Sequence, residues 1–161
     1  MFNGCTSLTT ISKIHSRFVS LNCYQYMFSN CTSLTEAPEL PATSLQSYCY
    51  RGMFSGCTSL TKAPELPAKT LKTGCYESMF SGCTSLVTSP ELPATSLAKY
   101  CYRNMFSNTN VLPDCSNIDF YSNEVVASGG LYGLFAHTKV TDEDLYNILP
   151  VNENDEYYLP C

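Results

Sequence analysis

The chain has 161 residues, 44% of them hydrophobic, enough for one folded domain of ordinary size and too apolar for a disordered one. Its net charge of -5 comes without any Lys/Arg cluster suited to neutralising phosphates, which argues against nucleic-acid binding, and no apolar run approaches the ~18 residues of a membrane span. The charge is uneven: residues 1–104 carry eight Lys/Arg against five Asp/Glu, and residues 105–161 one against nine.

From the first residues the chain repeats itself. Met-Phe falls at 1, 27, 53, 79 and 105, a strict period of 26, and residues 53–78 match residues 79–104 at 16 of 26 positions. Such regularity marks a solenoid, in which each unit buries its apolar side only against its neighbours. The expected fold class is an α/β solenoid, a leucine-rich-repeat-like coil with one short strand and one short helix per repeat. Residues 1–161 read as a single repeat domain, with four regular repeats in 1–104 and divergent acidic repeats in 105–161. No leader pattern opens the chain. Met1 occupies the repeat's own Met column, however, so the sequence is expected to begin and end inside a longer array.

Within a unit, Ser44, Thr70 and Ser96 stand before Leu45, Leu71 and Leu97, where helix N-caps would stand. A helix over about 45–55 would align Leu45, Cys49 and Met53 at i, i+4, i+8, with Tyr50 and Phe54 beside them, both rows facing the core. Gly4, Asn30, Gly56, Gly82, Asn108 and His137 come two residues after the Phe column (Leu134-Phe135 replacing Met-Phe in the last case), at the left-handed position that ends a helix. Next comes a short extended segment, "CTSLTKAPELP" at 57–67, with Leu60, Ala63 and Leu66 inward. Its strand should pair over only two or three residues, because Pro38, Pro64 and Pro90 form a column without N–H donors.

Eight of the ten cysteines form two columns, Cys5, Cys31, Cys57, Cys83 and Cys23, Cys49, Cys75, Cys101, read as structural core positions. Eight helical residues would part Cys49 from Cys57 by about 12 Å, too far for a disulfide. Pairing along a column is open in distance, yet every level offers the same surroundings, so small buried thiols are the simpler reading. No zinc-type spacing, phosphate-binding Gly loop or nucleophile–base pair stands out, and no metal, cofactor or catalytic residue is assigned.

In the divergent portion, "GLYGLFAHTKV" (130–140) restarts the phrase after a three-residue insertion. Thr141 would cap a short helix over "TDEDLYNILP", and "NENDEYY" (152–158) reads as an exposed acidic loop. An incomplete last unit would leave Leu149 and Leu159 uncovered and favour self-association through a raw end.

"MFSGCTSLT" followed by "APELPATSL" resembles the BspA-like leucine-rich repeats of bacterial surface and secreted proteins, closely over 1–112 and loosely over 113–161. The unit is a few residues longer than is usual in that family, and cysteine stands at 23, 49, 75 and 101 where an aliphatic residue is usual. The resemblance implies a non-catalytic, extracellular or cell-surface module for adhesion or protein binding. The variable columns are where a protein or cell-surface partner would be met, with Glu36, Lys62 and Thr88 beside the strand and Glu39, Glu65 and Glu91 as a carboxylate column. A structural spacer or assembly element would need the same core and no ligand.

Leu60→Asp should lower the melting temperature far more than Lys62→Asp. The first buries an unpaired carboxylate in an invariant column, costing several kcal/mol, and the second changes a solvated one. Thermal unfolding followed by circular dichroism checks the order, and equal shifts would reverse the assignment of the strand faces.

Overall fold

The computed structural model describes residues 1–113 together with 133 and 134. Within it, successive 26-residue units lie directly on one another. Two kinds of segment alternate in each unit, a run of linked turns and a nearly straight stretch held by isolated parallel bridges.

The run of turns stands where a helix is expected. Residues 21–30 and 47–56 are continuous turn, and the described residues contain no α-helix. Backbone torsions give the reason. Left-handed φ values recur every fourth residue, at Asn22, Tyr26 and Asn30, then at Tyr48, Gly52 and Gly56, then at Gly74, Ser78 and Gly82. An α-helix needs negative φ throughout, so a left-handed residue in each tetrad breaks the i→i−4 pattern. What forms instead uses two directions of hydrogen bond. Odd-numbered N–H groups close turns onto the carbonyl three residues back, as Met27 does to Tyr24 and Cys57 to Phe54, at 3.2 and 3.0 Å. Even-numbered N–H groups donate across to the next unit, as Tyr24 does to Cys49, Phe28 to Met53 and Phe54 to Met79, at 2.9–3.0 Å. From the second residue of each run onward, every backbone donor in 21–30 and 47–56 therefore has a partner.

Gly4, Asn30, Gly56, Gly82 and Asn108 are left-handed as expected, with φ between 57° and 75°. They are the last of a left-handed series rather than a single helix stop. Ser44, Thr70 and Ser96 are not caps either: they form parallel bridges, Phe18 with Ser44 and Thr70 with Ser96. The other bridge column links Glu36, Lys62 and Thr88. Pairing is shorter than the two or three residues expected. Pro38 and Pro41, Pro64 and Pro67, and Pro90 and Pro93 follow this bridge column closely in the second, third and fourth units, and none supplies an N–H to extend the ladder.

Between the two kinds of segment lies one core built of columns. Phe2, Phe28, Phe54, Phe80 and Phe106 stack in sequence, as do Tyr24, Tyr50, Tyr76 and Tyr102. Ring centroids are 5.6–6.0 Å apart with interplanar angles of 3–20°, the offset-stacked range worth about 0.5–1.5 kcal/mol per pair beyond area burial. Leu34, Leu60 and Leu86, with Leu40, Leu66 and Leu92, close the core from the bridged side. Residues 114–132 and 135–161, which include His137, Thr141, Cys115, Cys161, Leu149 and Leu159, lie outside the described residues.

The left-handed column should be selective for backbone preference rather than for size. A Cβ placed on Gly82 would meet nothing closer than 3.7 Å, at φ +75°. Gly82→Asn should therefore cost little, since Asn30 and Asn108 already occupy the column, whereas Gly82→Val should lose about 2 kcal/mol or more. Denaturant midpoints of the two variants give the comparison.

Candidate recognition groove and the column of thiols

The bridged side of the second and third units forms an open groove of about 690 Å³. Its lining pairs equivalent residues from the two units: Thr35 with Thr61, Glu36 with Lys62, Ala37 with Ala63 and Glu39 with Glu65, flanked by Pro41, Pro64 and Pro67. Stiff prolines and small alanines supply the floor, and charged side chains rise from it. The bridges fix the backbone beneath these side chains, because Glu36 pairs with Lys62 and Lys62 with Thr88. Four of the six residues singled out from the sequence, Glu36, Glu39, Lys62 and Glu65, line this one groove. Thr88 is exposed and adjoins it through the bridge to Lys62, and Glu91 is exposed further along its column. The carboxylate column continues as a cation in the first unit, where Lys13 Nζ lies 3.5 Å from Glu39 Oε2. Lys13 is 26 residues before Glu39, a relation visible in the sequence. Both side chains are mostly exposed, so this pair adds little stability.

A second polar cluster, which the sequence reading did not single out, lies on the turn run. Positions 25, 51, 77 and 103 read Gln, Arg, Glu, Arg. Glu77 is buried between the two arginines. Arg51 Nε lies 3.2 Å from Glu77 Oε2 and Arg103 Nη1 lies 3.9 Å from Glu77 Oε1. Arg51 also faces the rings of Tyr26 and Tyr48 at 5.8 and 5.5 Å, and Arg103 faces Tyr100 at 5.0 Å. Tyr26 can lie flat because the residue beneath it in the next unit is Gly52, where a Cβ would come within 2.3 Å of the ring. The alternating column was the legible signal.

All eight described cysteines are free thiols. Cys31, Cys49, Cys57, Cys75, Cys83 and Cys101 are buried as core columns should be, while Cys5 and Cys23, at the outer face of the first unit, are exposed. One column has a specific task. The thiols of Cys31, Cys57 and Cys83 donate to the carbonyls of Phe2, Phe28 and Phe54 in the preceding unit, at 3.0–3.1 Å. Those carbonyls already close a turn, so the thiol uses their remaining lone pair. At the fifth level Thr109 replaces cysteine and donates instead to Phe106 of its own unit, at 2.7 Å. Among the described residues no three His, Cys, Asp or Glu groups gather as a metal set.

Burial is the main cause that pushes the thiols up, from 9.0 to about 11 for Cys49 and Cys101 and to about 12 for Cys57. Cys75 and Cys83 are raised further, again by burial. Such thiols are protonated at neutral pH and make poor nucleophiles. Between the unfolded and folded pKa values the unfolded chain has lost protons that the folded chain keeps, so stability falls as pH rises. The melting temperature should therefore hold up to about pH 9 and decline from there through pH 11, about 1.4 kcal/mol per thiol per pH unit. Replacing Cys49 and Cys57 with alanine should flatten this alkaline limb while lowering the plateau. Thermal melts across pH 7–11 check both effects.

No family model matches the chain, and no curated protein matches it. Among solved structures, a leucine-rich repeat protein from Bacteroides ovatus shares 23% identity and aligns over 70% of this chain, with a TM-score of 0.24. The alignment covers 39% of that protein, so this chain spans about two fifths of its length. The likeness is a weak one to a repeat protein of the leucine-rich kind.

Proposed function

We propose that the chain is a non-catalytic recognition module, a leucine-rich-repeat-like solenoid that presents its bridged groove to a protein or another macromolecule at a cell surface. The observation that carries this reading is the groove itself. One pair of side chains that differs between the two units, Glu36 against Lys62, stands at equivalent bridged positions over an unchanging floor of proline and alanine, with the carboxylates of Glu39 and Glu65 beside it. A rigid, repeated floor with changing side chains suits macromolecular recognition, because little ordering entropy remains to be lost on binding. The chemistry of the thiols supports a non-enzymatic role, since the six buried ones are protonated at neutral pH and most are engaged in the core. An extracellular or cell-surface location rests on the resemblance of "MFSGCTSLT" and "APELPATSL" to BspA-like repeats.

Binding of the fluorescently labelled chain to intact bacterial and epithelial cells, measured by flow cytometry, tests this function. Glu39→Arg combined with Glu65→Arg should weaken cell binding by about tenfold or more, equivalent to about 1.4 kcal/mol, with the melting temperature little changed because both side chains are exposed. Undiminished binding by the variant would move recognition away from the groove. If neither protein bound any cell, a spacer or assembly role would replace the recognition role.

A further inference from the structure

The backbone ladder between units has a gap, and the groove lies in it. Along the turn run, the N–H groups of Phe28, Asn30, Tyr48, Tyr50 and Gly52 in the second unit donate to carbonyls of the third, at 2.7–3.0 Å. Nothing similar holds the proline-bearing stretches. Residues 37–41 and 64–67 neither give nor accept a backbone hydrogen bond among the described residues. Pro38, Pro41, Pro64 and Pro67 have no N–H to give, and the peptide groups of Glu39, Leu40, Glu65 and Leu66 between them are left without a backbone partner. Such groups pair with water or with a ligand. Leu40 and Leu66 are buried, which anchors this part of the main chain to the core. Glu39, Leu40 and Glu65 line the groove.

The side chains around the gap carry an excess of one sign. Glu36, Glu39 and Glu65 line the groove against Lys62 alone, and Glu91 extends the carboxylate column beyond it. An ammonium group already sits on this column within the chain, where Lys13 Nζ lies 3.5 Å from Glu39 Oε2. Glu36, Glu65 and Glu91 have no cation in ion-pair reach among the described residues. An anionic partner would meet like charge here. A bare metal ion would need its ligands gathered, and these carboxylates do not form such a set. The volume of about 690 Å³ is in the range that holds a short molecular segment.

Taking the groove to be the recognition site, we propose that its partner is an extended peptide segment bearing lysine or arginine. The segment lies across the two proline-bearing stretches, bonds its main chain to the unpaired peptide groups of Glu39, Leu40 and Glu65, and sets its cations on the carboxylates of Glu39 and Glu65. Main-chain bonds to an incomplete ladder give affinity, and the side chains give selectivity. The prolines keep the two units from closing the gap themselves, because neither stretch can supply a continuous row of donors to the other.

Fluorescence anisotropy of a short labelled peptide of alternating lysine and threonine, titrated with the full chain at low salt, tests the proposal. Binding should saturate. It should weaken by roughly tenfold or more when glutamate replaces lysine in the peptide, when alternate peptide groups are N-methylated, and when the protein carries Glu39→Gln with Glu65→Gln. Absence of saturable binding, or equal binding of the glutamate peptide, would overturn the proposal. Equal binding of the N-methylated peptide would reduce the contact to bare charge attraction, and undiminished binding by the variant would place it elsewhere; either result overturns it too. Competition on cells separates this partner from the broader recognition role. Excess lysine peptide should displace the chain from cells that it binds. Cell binding that is lost with Glu39→Arg and Glu65→Arg, yet is untouched by the peptide, would overturn the basic-peptide partner and leave groove recognition standing. Peptide binding that meets every condition in a chain that binds no cell would sustain the partner's chemistry and remove only the cell-surface role.

Discussion

Everything in this structure depends on a division of labour among backbone N–H groups. Along the turn run, odd positions hold the run's own shape by closing turns, and even positions hold the unit to the next one. A helix would spend all its N–H groups internally and a strand would spend them all on neighbours. This run does half of each, and the left-handed residue in every tetrad makes the split feasible by turning alternate peptide groups towards the stacking direction. Local conformation and unit-to-unit cohesion thus rest on the same torsion angles, and one cannot be lost without the other.

The side chains follow from that backbone. Tetrads such as "CYRG" and "MFSG" place two core residues and then two outer ones, so cysteine and tyrosine enter the core together, then methionine and phenylalanine. Vertical spacing is fixed by the inter-unit hydrogen bonds, at about the 4.8 Å of paired strands, which leaves flat rings in offset stacks as a natural filling. Cysteine suits the closing position of the run for two reasons at once. It is small and apolar enough to be wholly buried, and its thiol reaches a carbonyl one unit back that the backbone leaves half used.

The period, the column membership and the inward or outward sense of nearly every residue were legible because a 26-residue repeat displays each column several times. The core columns and the left-handed Gly/Asn positions followed from that display; that Glu36, Glu39, Lys62 and Glu65 line one groove did not. What misled was the local geometry. Apolar residues at i, i+4 and i+8, as in Leu45, Cys49 and Met53, fit a period of 3.6 and a period of 4.0 equally well over so short a run. The distinguishing signal was the column immediately before the Cys-Tyr core pair, Asn22, Tyr48, Gly74 and Tyr100, together with Gly52 in the next tetrad. Glycines and asparagines four apart are poor helix interiors and good left-handed residues. Tyr48 and Tyr100 obscured the pattern, since an aromatic residue gives no hint of positive φ.

The arginine–glutamate column has a bearing on how such a gene can change. To the backbone, all four regular units are equal, and losing one by misaligned copying would leave the ladder of hydrogen bonds intact. Charge makes them unequal. Deleting residues 27–52 would set Gln25 beside Glu77 and leave Arg103 as its cation, but deleting residues 53–78 would bring Arg51 against Arg103 with no carboxylate between them. A single buried glutamate therefore marks the third unit as the one that cannot be dropped, and it imposes an order on parts that the fold would otherwise treat as spares.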